Sequence, residues 1–182
     1  MVVEIGTYRG GTLRCWMHLC DEKTEFVSID LPGGDFGGGY SDEEARTFRG
    51  FLKPGQELHC LRMDSHEAAT VNELTAILRG RPIDFLFIDG DHSYEGVKRD
   101  YELYRPLVRT GGMIAFHDIL PHVVHESCQV HRFWNELRDR SGAFEIIDRD
   151  GFDVWGGIGV LRSSRSRSAR GEPVAGQGTI HG

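Results

Sequence analysis

Short apolar runs alternate with longer stretches of helical period along most of the chain. Met1-Val-Val-Glu-Ile5 has the length of a buried strand, and a glycine-containing turn and a helical pattern over 11–20 follow it. Glu25-Phe-Val-Ser-Ile-Asp30 predicts a second strand and Glu57 to Arg62 a third, the latter with a helix over 67–78. Ile83-Asp-Phe-Leu-Phe-Ile88 is nearly all apolar, the pattern of a strand covered on both faces. A helix over 94–108, a fifth strand at Gly112-Met-Ile-Ala-Phe116 and a helix near 130–140 come next, then strands near 143–149 and 156–161. Between the second and third strands lies a glycine-rich loop, Pro32 to Tyr40. Ser41-Asp-Glu-Glu44 then has the Ser-x-x-Glu form of a capping box and starts a helix.

Strands alternating with helices predict βαβ units. The fold class is therefore α/β, a doubly wound, Rossmann-like and mostly parallel sheet with helices on both faces. In such sheets ligands bind beyond the carboxyl ends of the strands, where the strand order reverses. The polar residues accumulate at those ends: Gly6 to Gly11, Asp30, Asp64, Asp89 to His92, and His117-Asp118.

Composition refines this picture. A chain of 182 residues fits one domain. Its end contains almost no large apolar residues, so the domain is expected to span 1–162 and 163–182 to form a disordered tail. The net charge of −7, with no basic stripe in the folded part, disfavours nucleic-acid and anionic-membrane partners. The locally basic piece Arg162 to Arg170 reads as a solvated tail. Cysteines 15, 20, 60 and 128 have no paired spacing, and Cys15 and Cys60 fall in apolar patterns that suit buried thiols in a reducing compartment. With no apolar run of about 18 residues and no signal peptide, cytoplasm is the expected location.

The first strand-to-helix turn discriminates between nucleotides. In Val3-Glu-Ile-Gly-Thr-Tyr-Arg-Gly-Gly-Thr12, Gly6 and Gly11 take the outer positions of a G-x-G-x-x-G pattern, but the middle one is Tyr8. The middle glycine lets a pyrophosphate approach the backbone, so a side chain there disfavours NAD and an NAD-dependent oxidoreductase. S-adenosylmethionine carries no phosphate and tolerates a looser loop. Asp30, about 20 residues beyond the loop, is placed to accept hydrogen bonds from both ribose hydroxyls.

The segments Val3 to Thr12, Ile83-Asp-Phe-Leu-Phe-Ile-Asp-Gly-Asp-His-Ser-Tyr-Glu-Gly-Val97 and Leu107-Val-Arg-Thr-Gly-Gly-Met-Ile-Ala-Phe-His-Asp118 resemble class I S-adenosylmethionine-dependent methyltransferases. More narrowly, they resemble the branch that includes cephalosporin-biosynthesis proteins and sugar or macrolide O-methyltransferases. The resemblance implies about seven strands, the last antiparallel. It also implies cofactor contacts from Glu4 beneath the methionine end, Gly6, Tyr8 and Gly10 in the loop, Asp30 at the ribose, Asp64 near the adenine, and Asp89. The implied activity is O-methylation of a small hydroxylated acceptor such as a sugar or polyketide.

Methyl transfer from a sulfonium is an in-line displacement, and an alcohol acceptor must also lose a proton to a base or to a metal-lowered pKa. The separation of Asp89 and His117 resembles that of catechol-type O-methyltransferases, which makes Asp89, His117 and Asp118 the candidate metal ligands. Oxygen-preferring Mg²⁺ and imidazole-tolerant Mn²⁺ are the candidate ions. His92 and His117 are the candidate bases. Plainer roles compete: Asp89 and Asp91 as caps of the helix from Ser93, and a structural His117–Asp118 bond. His122, His125 and His131 match no metal signature and read as loop residues. Phe36 and Tyr40 favour a lid role for the glycine-rich loop; Trp16, Phe133 and Trp134 read as packing. Family members carry helices before the first strand, so a truncated start or a pocket completed by another subunit is expected here. Alternatives are thus a non-catalytic cofactor-binding module and homo-oligomer formation.

Overall fold

The computed structural model describes residues 1–33, 38–122, 124–148 and 156–164. In chain order they form β1 (Val2–Ile5), α1 (Gly11–Leu19), β2 (Glu25–Asp30), α2 (Asp42–Phe48), β3 (Glu57–Arg62) and α3 (Ala68–Leu78). There follow β4 (Ile83–Ile88), α4 (Tyr94–Tyr104), β5 (Val108–His117), α5 (Val130–Leu137), β6 (Ala143–Ile146) and β7 (Ile158–Arg162). The seven strands make one sheet in the order β3-β2-β1-β4-β5-β7-β6. Neighbours from β3 to β5 run parallel, and β7 is antiparallel to both β5 and β6. The chain winds outward from β1 to β3 and then returns to place β4 on the other side of β1. The β1/β4 junction is therefore the switch point at which such sheets open a crevice.

The alternation of side chains along each strand divides the core in two. Val3, Ile5, Val27 and Ile29 point to the face covered by α3, α4 and α5, where Leu74, Val97, Tyr101, Phe133 and Trp134 meet them. Val2 and Phe26 point to the other face, against Leu13 and Met17 of α1 and Ala45 and Phe48 of α2. By the same period Glu4, Ser28 and Asp30 also face the α1/α2 side. A carboxylate in the middle of the central strand thus enters the core at zero exposure.

The capping box forms as read: Ser41 Oγ accepts from the Glu44 amide and Glu44 returns a bond to the Ser41 amide. Trp134 packs α5 on the sheet and donates Nε1 to Glu145 at 2.7 Å. Three expectations need correction. α4 stops at Tyr104, because Pro106 lacks the amide that would continue the helix, and one 3-10 turn over Arg105–Leu107 leads into a β5 that starts at Val108. Tyr40 is core and not lid: it is 1% exposed, its ring packs edge-on to Phe48, and its hydroxyl bonds Ser28 Oγ at 2.8 Å. Cys15 lies on the exposed side of α1, while Cys60 is half-buried and Cys128 buried. Phe36 and the tail from 165 onward lie outside the described residues, as does residue 149 of the expected 143–149 strand, which ends as β6 at Ile146. No helix among the described residues is long and apolar enough to cross a membrane.

Candidate active site

The glycine loop after β1 is held by the end of β2. Asp30 Oδ2 accepts the amides of Thr7 and Tyr8, both at 2.7 Å, and Oδ1 accepts the amide of Leu31 at 2.8 Å. A carboxylate has about four acceptor sites, so the carboxylate expected at the ribose is first of all the organiser of the loop, with roughly one site left for a ligand. Ser28 Oγ donates to Thr7 Oγ1 at 2.7 Å and meets Tyr40 from below, which locks the same turn from inside the core. Gly6 has φ +83°, and a Cβ there would lie 2.0 Å from the Asp89 carbonyl oxygen. Only glycine lets the ends of β1 and β4 come so close. Tyr8 adopts φ 47°, the left-handed backbone that a middle glycine would normally supply, and its half-exposed ring lies under Arg9. Gly10, also left-handed, leaves room for the Phe48 ring.

Glu4 lies one turn of the pleat below this loop. Its Oε2 accepts Trp16 Nε1 at 2.8 Å, and Oε1 is buried with no hydrogen-bond partner. Burial pushes its carboxyl up to about 8, an effect the Thr7 and Trp16 side chains only partly offset. Trp16, read from its spacing as packing alone, does pack on Phe85 and Phe87 but also supplies this bond.

The ends of β4 and β5, which are neighbours, form the second half of the site. His117 Nδ1 lies 3.2 Å from both Asp89 Oδ1 and Asp118 Oδ1. His92 Nε2 contacts Asp89 Oδ1 at 3.2 Å, and its Nδ1 is 3.6 Å from Asp118 Oδ2. The cap of α4 is Ser93, whose Oγ accepts the Gly96 amide, with Asp91 supporting the Ser93 amide. Asp89 is thereby free of capping work and faces the two imidazoles. Asp118, 5% exposed and at φ 58°, is turned inward by a left-handed residue at the strand end. The bonds from Asp118 and then Asp89 push His117 up to about 10. His92 is also raised, chiefly by its bond to Asp89. Burial pushes Asp118 up, but the His117 bond and the surrounding imidazole charge bring it below the usual carboxylate range.

Asp89, His117 and Asp118 offer ligand atoms close enough for one ion. The two 3.2 Å contacts are a few tenths of an ångström longer than the edge of an octahedron with metal–ligand bonds of about 2.1 Å, so little movement would bring the donors onto one ion. Two carboxylates and one imidazole nitrogen converging at this distance are a donor set that fits a divalent cation. One nitrogen among the donors suits Mn²⁺ better than Mg²⁺. A different acidic set, Glu25, Glu57 and His59, lies at the opposite ends of β2 and β3, and Arg81 already neutralises Glu25.

Asp64, just beyond the end of β3, is exposed; its Oδ1 accepts the His66 amide at 2.8 Å and lies 3.9 Å from His66 Nδ1. His66 was not singled out in the sequence, nor was its partner Asp100, which has zero exposure. His66 Nε2 lies 3.4 Å from Asp100 Oδ1 and is raised by that contact, tying the β3 end to α4. The available signal was an aspartate inside the apolar stripe Val97, Tyr101, Tyr104 of α4. The His122 and His125 rings lie 4.6 Å apart, tilted by 51°, in the segment after β5.

A family profile described as a methyltransferase domain matches residues 3–119. The chain belongs to this methyltransferase-domain family. An uncharacterized protein, R132, of Acanthamoeba polyphaga mimivirus is 34% identical over 119 residues, covering 64% of this chain and 50% of that protein. The chain thus spans half the length of that relative. Among solved structures, the O-methyltransferase TomG from Streptomyces achromogenes, involved in tomaymycin synthesis and in complex with SAM, has a TM-score of 0.58 at 17% identity, over 90% of this chain and 72% of that one. MycE methyltransferase from the mycinamycin biosynthetic pathway, in complex with Mg and SAH, has a TM-score of 0.54 at 15% identity, over 90% and 44%. These likenesses establish the Rossmann-like methyltransferase fold.

Proposed function

We propose that the chain transfers a methyl group from S-adenosylmethionine to a hydroxyl oxygen of a small acceptor such as a sugar or polyketide. The observation that carries this reading is the convergence of two clusters on one switch-point crevice: the Asp30-held glycine loop with Glu4 beneath it, and Asp89–His92–His117–Asp118. S-adenosylmethionine supplies an activated methyl group, and TomG and MycE are described with SAM and SAH respectively. The buried Glu4 acid, with Oε1 unpartnered, suits the ammonium of its methionine end. The remaining Asp30 acceptor site suits a ribose hydroxyl. Asp64, exposed beyond the β3 end, is the residue this reading assigns to the adenine.

The displacement leaves the acceptor oxygen with a proton to lose. Asp89 holds His92 through Nε2, while Nδ1 is 3.6 Å from the nearest carboxylate oxygen, beyond hydrogen-bond reach, on a ring whose side chain is 42% exposed. His92 Nδ1 therefore takes the proton, and Asp118 Oδ2 is placed to stabilise the imidazolium. His117, engaged by two carboxylates, is the less available base. A divalent ion held by Asp89, His117 and Asp118 would lower the acceptor hydroxyl's pKa.

Asp30→Ala is expected to weaken S-adenosylhomocysteine binding roughly 10- to 100-fold, the range for a lost charged hydrogen bond and a loosened loop. Unchanged affinity in calorimetry removes Asp30 from the site. Asp89→Ala and Asp118→Ala are expected to abolish divalent-ion stimulation of turnover. Full turnover in EDTA would eliminate the ion and leave the histidines alone.

A further inference from the structure

Cys128 has no part in the chemistry above, yet it is buried beside it. It sits in the irregular segment between β5 and α5, 5% exposed, with its amide bonded to the His125 carbonyl at 3.0 Å. The next residue fixes its place: the Gln129 amide donates to the His92 carbonyl at 2.7 Å, which pins this segment to the β4 end. As a result His92, Asp118 and Cys128 present one ligand atom each within 4.8 Å of one another. Asp118, 5% exposed, turns Oδ1 to His117 Nδ1 at 3.2 Å and Oδ2 toward His92 Nδ1 at 3.6 Å, so its second oxygen faces the imidazole of this set.

We propose that His92, Asp118 and Cys128 form a thiolate-containing cation site, selective for a borderline-soft ion of the Zn²⁺ type. It differs from the Asp89–His117–Asp118 set in its sulfur and in taking its imidazole from His92 rather than His117. A nitrogen, an oxygen and a sulfur donor are the ligands of tetrahedral Zn²⁺, with the fourth position open to solvent along the exposed edge of His92. His92 Nδ1 and Asp118 Oδ2, 3.6 Å apart, already stand near the edge length of such a tetrahedron, about 3.4 Å for bonds near 2.1 Å. A hard ion such as Mg²⁺ gains nothing from the sulfur, so the two donor sets sort ions by softness. On the reading of His92 as the base, and resting on it, occupancy of this site removes that base and Zn²⁺ acts as an inhibitor. Binding converts the Cys128 thiol to a metal thiolate, and the proton passes to solvent.

The test is titration of the full chain with Co²⁺, with S-adenosylhomocysteine affinity measured on the same samples. The expected result is a sulfur-to-cobalt charge-transfer band in the near ultraviolet at one equivalent. The band disappears in Cys128→Ser and in His92→Gln and persists in Asp89→Asn. No band in the wild type, or a band that survives Cys128→Ser, overturns the site. X-ray absorption of the Zn²⁺-loaded wild type needs no variant: one sulfur neighbour at about 2.3 Å supports the site, and none overturns it. A band without S-adenosylhomocysteine binding would leave this site standing while the methyl-transfer reading fails. The reverse result would do the opposite.

Discussion

At the residue scale the molecule concentrates its cost in two positions, Glu4 and Gly6. Glu4 sits at zero exposure on the central strand, and burial raises its carboxyl from 4.5 to about 8. Between those values the unfolded chain has lost the proton that the folded chain keeps, so stability falls as pH rises through this window and is flat outside it. Glu4→Gln keeps an oxygen for Trp16 and has no proton to lose. It is expected to match the wild type near pH 4.5 and to exceed it above pH 8, by at most about 5 kcal/mol. Parallel denaturation curves at the two pH values check this, and equal slopes for both proteins would mean that Glu4 is ionised in the fold. Gly6→Ala is expected to cost upward of about 3 kcal/mol, since its Cβ would overlap the Asp89 carbonyl in a left-handed backbone. A melt within a degree or two of the wild type would contradict that contact.

At the scale of elements, the β1–α1 turn and the β2 end behave as one unit through Asp30. Asp30→Ala removes three amide contacts and is expected to lower stability by about 1–3 kcal/mol besides weakening ligand binding. Hydrogen exchange at Thr7 and Tyr8 reports it directly, and protection that persists would assign the order of the loop to Ser28 and Tyr40. Elements of this kind were largely legible in the sequence because their signals are local: the apolar runs of β1 and β4, the capping box at Ser41, the acidic residue closing β2. The misreadings share a different cause. Tyr40 looks like a loop aromatic until the Ser28 hydroxyl that receives it is known. Asp100 went unread although it interrupts the apolar stripe Val97, Tyr101, Tyr104, because its partner His66 lies at the end of another strand. Cys15 matched an apolar period whose exposed side only the placement of α1 settles. Each role is completed by the placement of another element, which a local pattern at most hints at.

At the scale of the whole molecule, the winding order brings β1 beside β4 and β4 beside β5, and this assembles the crevice. Asp89, His92, His117 and Asp118 were readable as candidates because strand ends were readable. Their mutual distances follow only from β4 and β5 being neighbours. Cys128 was read only as an unpaired cysteine, because its place beside His92 and Asp118 follows from the Gln129–His92 backbone bond. The central claim concerns what the crevice binds. The most direct test is isothermal titration of the purified chain with S-adenosylhomocysteine, with and without Mg²⁺ or Mn²⁺, against NAD as control. Micromolar binding of S-adenosylhomocysteine and none of NAD is the expected result. Binding of NAD, or no binding of S-adenosylhomocysteine by a folded sample, would contradict the account.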